Sequence, residues 1–483
     1  MIDLKIATAV ALPDEVSFDA FRGAFEGRRV AAFYASDGGR LTALLADDAA
    51  GRLRAVSTRA ESGFPSLTPE LTAVHLFERE IAEETGLVPE GHPWLKPVRF
   101  AGPGAPQIGV MDYYRVEGEE VHEVAVGPVH AGIIEPGHFR FQCHGETVFH
   151  LEISLGYQHR GIERALIGGP NKRSLHLLET AAGDTTVGHA TAYCQVIEAL
   201  SETRVPPRAQ ALRGVALELE RLANHIGDLG ALANDVAYLP TAAYCGRIRG
   251  DFLNMTAVLC GNRFGRSLVV PGGVAFDVDD ARTQDLLKRL EAAAKDSANA
   301  VNLLWDTPSV MARFEDTGHV SEATCRELGL VGPAARACGV GIDVRHDHPA
   351  GIWQLSHIPV STWHTGDVFA RATVRWLECQ RAVTFLRDTL QSLPAGPVRA
   401  PVGPLAPGRL AVGLCEAWRG EVCHVAETDL DEKTGAGRFR RYKVVDPSFH
   451  NWSGLAMALR DQAISDFPLC NKSFNLSYCG FDL

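Results

Sequence analysis

The stretch LLETAAGDTTVGHATAY, Leu177 to Tyr193, has the frame of a ligand-bearing loop that enters a helix. Gly183 and Asp184 stand beside two threonines, and small residues follow as far as Tyr193. It holds no soft donor. Thiolates are what hold two transition metals in a compact bridged site, and the hard, weakly acidic hydroxyls of Ser and Thr do not replace them. The eleven cysteines are spread singly from Cys143 to Cys479 without a CxxC pair. They make neither a metal cage nor a disulfide framework, and read as small buried hydrophobes. Cys470 and Cys479 both lie near the C-terminus, but the eight residues between them do not rebuild a ligand pair. His346 and His348 of VRHDHPAG, near Asp343, read as polar surface or interface residues. GGPNKRSL (Gly168–Leu175) lacks the strand–loop–helix frame of a phosphate loop. GNRFGRS (Gly261–Ser267), with two arginines among small residues, admits a nucleotide-loop reading beside a structural one.

The elements that position these residues follow from composition and periodicity. The chain has 483 residues, 46% hydrophobic and 22% charged, which is globular composition with room for more than one core. A net charge of −12 argues against a nucleic-acid partner, which would require a basic face. No apolar run is long enough to span a bilayer, and the N-terminus is a poor signal peptide, so a reducing, cytoplasmic setting is expected. Up to about residue 102, RVAAFYASDGGRLTALLADDAAGRLRAVSTRA reads as strands joined by Gly and Asp turns, and LTAVHLFEREIAEETG as a helix ending at its glycine. AGPGAPQIG is a loop. HFRFQCHGETVFHLEISLG is β-like. ALRGVALELERLANHIGDLGALANDVAYL then places Leu219, Leu222, Ile226, Leu229 and Ala233 on one helical face. RTQDLLKRLEAAAKDSANAVNLLWD and FARATVRWLECQRAVTFLRDTLQSL read the same way, and SLPAGPVRAPVGPLAPG as a surface excursion. The expected class is α+β: a small α+β domain over residues 1–105, a linker over 106–121, and a mainly helical domain with peripheral strands over 122–483.

Several phrases occur together in order. HLFEREIAEETGLVPEGHPWL resembles the smaller of two adjoining peripheral-arm subunits of respiratory complex I. GPVHAG, YQHRGIER, LELERLANHIGDLG and GNRFGRSLVVPGGV resemble the larger one, which shares ancestry with the large subunit of nickel–iron hydrogenases. The C-terminal VDPSFHNWSGLAMALRDQAISDFPLCNKSFNLSYCGFDL is most similar to the membrane-bound, energy-converting hydrogenase branch, in which both modules are fused in this order. The resemblance covers nearly the whole chain and implies a subunit on the cytoplasmic face of the inner membrane. Its implied partners are an iron–sulfur small subunit that carries the cluster and antiporter-like membrane subunits. It also gives GNRFGRS a structural role and makes GHPWL a domain-docking element.

The resemblance also identifies what is missing. The family's four nickel–iron thiolates fall, by alignment, at Ala182, Thr185, Ser477 and Gly480, so no metal is expected and no cofactor is expected on this chain. Metal-loaded relatives lose a C-terminal extension during nickel insertion; this sequence runs three residues past Gly480, and the expectation is that there is none to cut. In the complex I branch a tyrosine and a loop histidine present a quinone. The tyrosine position falls at Gly183, Ala131 replaces the loop proline, and His138 is an inexact match for a second histidine, which leaves His130 as the quinone candidate. The charged frame persists. HRGIE keeps His159, Arg160 and Glu163, the last of which lines a proton exit route in the family; AWRGE keeps Arg419 and Glu421; Asp184 and Asp482 flank the two ends. Buried charges need partners, so Glu163, Arg160, Arg419 and Asp482 are expected to satisfy one another or trapped water in a polar chamber. Structural ion pairs and a proton path both remain open, since perturbed carboxylates mark both. Three functions follow as expectations: a coupling subunit without its own nickel–iron centre, a quinone-reducing subunit with an unusual site, and an inert scaffold.

Overall fold

The computed structural model describes residues 1–102, 104–132 and 134–483. The N-terminal sheet is antiparallel, in the order β1 (Ile2–Leu4), β5 (Arg52–Arg59), β4 (Arg40–Asp47), β3 (Arg29–Ser36). The β3–β4 turn is written in SDGGR. Gly38 and Gly39 both have positive φ, and a Cβ on Gly39 would sit 1.9 Å from the Ala60 carbonyl oxygen, so only glycine closes it. The helix His75–Thr85 packs on β3 and ends at Gly86 in the left-handed conformation, as the EETG stop signal requires. A short parallel pair, β6 (Gly63–Pro65) and β7 (Val88–Glu90), closes the domain.

No helix or strand occurs between Glu90 and Val121 among the described residues. An antiparallel sheet follows, with β8 (Val121–Val126), β9 (His138–His144) and β10 (Thr147–Ser154) in the order β10-β9-β8. The helical body packs Pro207–Asp235 against Leu239–Cys260 and Val368–Gln391, with Asp280–Trp305 behind them. Two small strands, β11 (Val269–Val270) and β12 (Gly273–Val274), form a hairpin. The last sheet is β13 (Arg409–Ala417), β14 (Gly420–Leu430) and β15 (Gly437–Val445), with the helix Thr186–Leu200 lying on β13. The architecture is α+β, with a helical core and sheets around it.

Local pattern does not place every strand. The segment β2 (Ala9–Ala11), inside the N-terminal module by sequence, pairs with β13 and completes the order β15-β14-β13-β2. Charged groups bind the two modules as well. Arg29 reaches Asp48 at 2.9 Å and Glu421 at 2.8 Å, and the Tyr34 hydroxyl donates to Glu427 at 2.9 Å. His348 meets Asp48 at 2.9 Å, which makes it an interface residue, whereas His346 stays exposed beside Asp347. One hydrophobic cluster runs from Leu4 to Leu483 across both modules.

The long helix differs from its expected amphipathic form. Leu219, Leu222, Ile226, Leu229 and Ala233 are buried, but so are Glu218, Glu220, Arg221, Asn224, His225 and Asp228. Its polar side faces the interior because the groups have buried partners there: Glu220 caps the helix Thr186–Leu200, Arg221 and His225 meet Glu378, and Asp228 meets Arg375.

Candidate buried polar centre

The loop Ala182–Thr185 and the C-terminal turn meet as the resemblance implies. The Cys479 thiol lies against the Gly183 backbone. Arg419, on the turn between β13 and β14, ties the two segments: its guanidinium grips Asp184 at 2.5 and 2.8 Å, touches the Thr185 hydroxyl at 3.3 Å, and gives Nε–H to the Asn475 carbonyl at 2.6 Å. Trp418 lies under the guanidinium at 3.9 Å. Burial works against the charge on Arg419, but the Asp184 carboxylate outweighs it and holds the pKa above the ordinary arginine value. Asp184 keeps a third of its side chain exposed, while Arg419 keeps 5%.

The four positions aligned with thiolates do not fit a nickel–iron centre. Ala182, Thr185, Ser477 and Gly480 are all buried, and none offers sulfur. Ser477 Oγ accepts the Gly480 N–H at 2.9 Å, as the cap of the short helix Tyr478–Asp482. A Cβ added at Gly480 would lie 2.7 Å from Cγ of Asp446, so no side chain enters there unless Asp446 moves.

Asp446 heads a buried chain that sequence reading missed. Its carboxylate meets Nε2 of His189 at 3.1 Å, Nδ1 of His189 meets Nε2 of His424 at 3.0 Å, and Nδ1 of His424 meets the Tyr442 hydroxyl at 3.0 Å. With both imidazoles neutral, the only consistent arrangement has Tyr442 donating to His424, His424 to His189, and His189 to Asp446. A proton entering at the Asp446 carboxylate and relayed through both rings would reverse every link. Burial raises the Asp446 pKa, but the His189 hydrogen bond, Arg419 and Ser448 together hold it below the usual value. Burial, then His189, keeps His424 neutral by pushing its pKa far down.

Glu220 is the second missed residue. From the long helix it accepts the N–H groups of Val187 (2.7 Å) and Gly188 (3.2 Å), so it caps the helix that follows the Ala182–Thr185 loop. Burial lifts its pKa to about 8 against the pull of those two donors. The signal in the sequence was a Glu on the helix face expected to be wet, close to Arg221 and His225.

Of the two arrangements expected for Glu163, Arg160, Arg419 and Asp482, mutual pairing or trapped water, the structure does not hold the first: they do not satisfy one another. Glu163 accepts from Lys443 Nζ at 3.0 Å and the Val444 N–H at 2.9 Å, with Arg441 at 3.3 Å. Lys443 also reaches Glu80 at 2.6 Å, and Glu80 binds Arg99, so Glu163 belongs to an ion network that docks the N-terminal helix. Arg160 donates to the Thr180 and Ala181 carbonyls at 2.8 and 3.0 Å, bracing the entry to the loop. Asp482 accepts the Gly156 and Gln158 N–H groups at 2.7 and 2.8 Å, and burial lifts its pKa to about 6 despite them. His159 Nδ1 meets the Asp482 carbonyl at 2.7 Å, and burial lowers its pKa. The reason is local: each finds a backbone or interface partner nearer than its expected mate.

His130 Nε2 is engaged by the Gly137 carbonyl at 2.9 Å, and its ring leans on Phe139. His138 is buried, with Nδ1 3.4 Å from the Gly127 carbonyl. Cys470 and Cys479 are shielded thiols, pushed up to about 12 and about 11, both chiefly by burial. A cleft of about 810 Å³ between the two modules is lined by none of Asp184, Arg419, Asp446 or Asp482.

The fold and this centre define a class: a hydrogenase-type large-subunit architecture with a second module fused at its N-terminus and its thiolate positions occupied by other residues. Residues 235–407 match the family described as respiratory-chain NADH dehydrogenase, 49 Kd subunit. The carbon monoxide-induced hydrogenase of Rhodospirillum rubrum is 32% identical over 358 residues, 73% of this chain and 97% of that one. Formate hydrogenlyase subunit 5 of Escherichia coli is 29% identical over 440 residues, 86% and 76% of the two chains. The alpha subunit of the membrane-bound hydrogenase of Pyrococcus furiosus is 26% identical over 368 residues, 73% and 85%. The chain belongs to the complex I and energy-converting hydrogenase family, in the form that lacks the nickel–iron cysteines, and is a subunit of a complex of that kind. No helix among the described residues is long and apolar enough to cross a membrane.

Proposed function

We propose that this chain is a nickel-free coupling subunit of a membrane-associated oxidoreductase complex. In this reading electrons reach an iron–sulfur cluster on a partner small subunit, and this chain answers with proton movement and side-chain rearrangement that antiporter-like membrane subunits use to move ions. It would sit peripherally on the cytoplasmic face of the membrane. The observation that carries the reading is the exchange at the old cage: thiolate positions filled by Ala182, Thr185, Ser477 and Gly480, and a charged and protonatable lining kept around them. Asp482 and Glu220 change protonation near neutral pH because they are buried. Arg419 and Asp184 form the electrostatic gate between the loop and the C-terminal turn. His159 and Arg160 hold the backbone on which Asp482 and the loop rest, and Glu163 serves the module interface.

Elemental analysis of the purified complex tests the metal part: the expected result is below a tenth of a nickel atom per chain, and one nickel per chain overturns it. Reconstituted complex carrying Glu220→Gln or Asp482→Asn tests coupling. Redox turnover is expected to persist while ion movement falls at least fivefold; unchanged ion movement in both variants would refute the proton role.

A further inference from the structure

A second cleft, about 320 Å³, lies between the N-terminal module and the larger one and is used by none of the groups above. The helix His75–Thr85 and residues 93–98 line one side; β10 and the helix Pro447–Ala458 line the other. Most of the wall is apolar, from Leu76, Trp94, Leu328, Met457 and Phe481. Side chains that line it carry polar atoms without mates. Trp452 is 3% exposed, and its indole N–H, which can only donate, has no partner among the described residues; nor does the buried Nε2 of His150. Arg79 gives Nε–H and Nη2–H to the Lys96 and Pro97 carbonyls at 2.8 Å each, and makes no ion pair among the described residues. Burial pulls its pKa down to about 10, and Glu152 and Glu83 only partly oppose this. Glu152 is already taken by Lys96 Nζ and the Tyr114 N–H, both at 2.7 Å. Arg460 adds an exposed guanidinium to the lining. His75 is held neutral, its pKa lowered to about 3 by burial, then by Arg79 and His92.

The cleft therefore combines an apolar wall, an excess of positive charge and unfilled donors. A volume near 320 Å³ falls at the small end of ordinary ligand pockets, roughly 300–1,000 Å³. Water could satisfy an indole N–H and an imidazole nitrogen, but it leaves an uncompensated guanidinium in a largely apolar setting. We propose that this cleft binds an organic monoanion with an apolar body, an aromatic or alicyclic carboxylate, with its oxygens on Arg79 and the Trp452 N–H and its ring among Trp94, Met457 and Phe481. Such a ligand would join the two modules and adjust how they sit together.

Calorimetry on the full-length chain, with 1-naphthoate as probe and 1-naphthylmethanol as its neutral counterpart, tests this. Naphthoate is expected to bind one per chain, at least tenfold tighter than the alcohol. Arg79→Met is expected to weaken naphthoate at least tenfold and the alcohol less than threefold. Trp452→Phe, which keeps the ring and removes the donor, is expected to weaken naphthoate three- to tenfold, and Ala456→Trp to fill the cleft and abolish binding. Absence of saturable naphthoate binding, or equal affinity for acid and alcohol in the unaltered protein, overturns the proposal. A folded Arg79→Met variant with undiminished affinity does so as well. If Arg79→Met does not fold, the acid-against-alcohol comparison on the unaltered chain still decides.

Discussion

Substituting Gly480 by alanine tests whether Asp446 fills the space beside the C-terminal turn. Gly480 lies in the helix Tyr478–Asp482 with an ordinary φ, so alanine meets no backbone strain there. Its added methyl group would lie 2.7 Å from Cγ and 2.8 Å from Oδ2 of Asp446, and 2.9 Å from Ser477 Oγ. Those distances are too short for stable contact, and Asp446 is fully buried, so it has to shift and loosen its bonds to His189 and the Ser448 N–H. Overpacking costs about 1–3 kcal/mol, and weakening a hydrogen bond to a charged acceptor costs about 1.5–3 kcal/mol. The better helix propensity of alanine returns up to about 1 kcal/mol. A net loss of about 1.5–6 kcal/mol follows. With an unfolding entropy of ~2.1 cal/mol/K per residue, that is a fall in melting temperature of about 1.5–6 °C for a chain of 483 residues. Gly183→Ala is the matched control: it sits in the facing loop, and nothing lies within 4 Å of its added methyl. Differential scanning calorimetry of the two variants is the assay, with histidine nitrogen shifts reporting whether His189 has moved. A Gly480→Ala protein as stable as Gly183→Ala, with unshifted His189 signals, would show that Asp446 does not press on this turn.

Three further outcomes follow from the same centre. Asp482 has its pKa raised from 3.8 to about 6, so the folded state holds the extra proton between those values and stability falls as pH rises from about 4 to about 6. Asp482→Asn is expected to remove that slope, worth roughly 3 kcal/mol at most, and a difference between wild type and variant that does not change over this window refutes it. Tyr442→Phe leaves Nδ1 of His424 without its partner and is expected to cost about 1–3 kcal/mol in urea unfolding, with His424 still singly protonated from pH 5 to 8; a neutral effect would mean the chain is not formed. Asp184→Asn strips the counter-charge from a buried guanidinium and is expected to cost about 3 kcal/mol. Arg419→Met is expected to cost less, because a third of Asp184 already faces water, and the double variant to fall short of the sum by more than about 1 kcal/mol.

Much of the scaffold was legible because local signals and tertiary needs agree. The GG turn after β3, the EETG helix stop and the apolar stripe from Leu219 to Ala233 all point to what the chain adopts. The placement of β2 was not legible: three residues, AVA, have no local pattern that tells which sheet they join, and the partner strand lies some four hundred positions later. The centre was legible in part. Alignment of short phrases picks out Ala182, Thr185, Ser477 and Gly480, and the two segments that carry them meet in the fold. It does not reveal that Glu220 turns inward, since a glutamate between leucines on a helix ordinarily marks a wet face, nor that His189 and His424 meet across more than two hundred residues. Glu163 shows the opposite error. Its phrase is intact, but its carboxylate is held by Lys443 and Arg441, and only folding places those on its side.

The pair Arg419–Asp184 shows how a buried guanidinium is held in this centre. Arg419 is buried, braced by the Asn475 carbonyl and stacked on Trp418, so it has little freedom to swing into water. A guanidinium in that position needs a negative neighbour. Asp184, between Ala182 and Thr185, supplies that charge from a side chain. Its carboxylate reaches the guanidinium with both oxygens, the geometry that suits arginine best. Any sequence of this family that keeps the buried arginine while losing the thiolates faces the same electrostatic demand at the same loop.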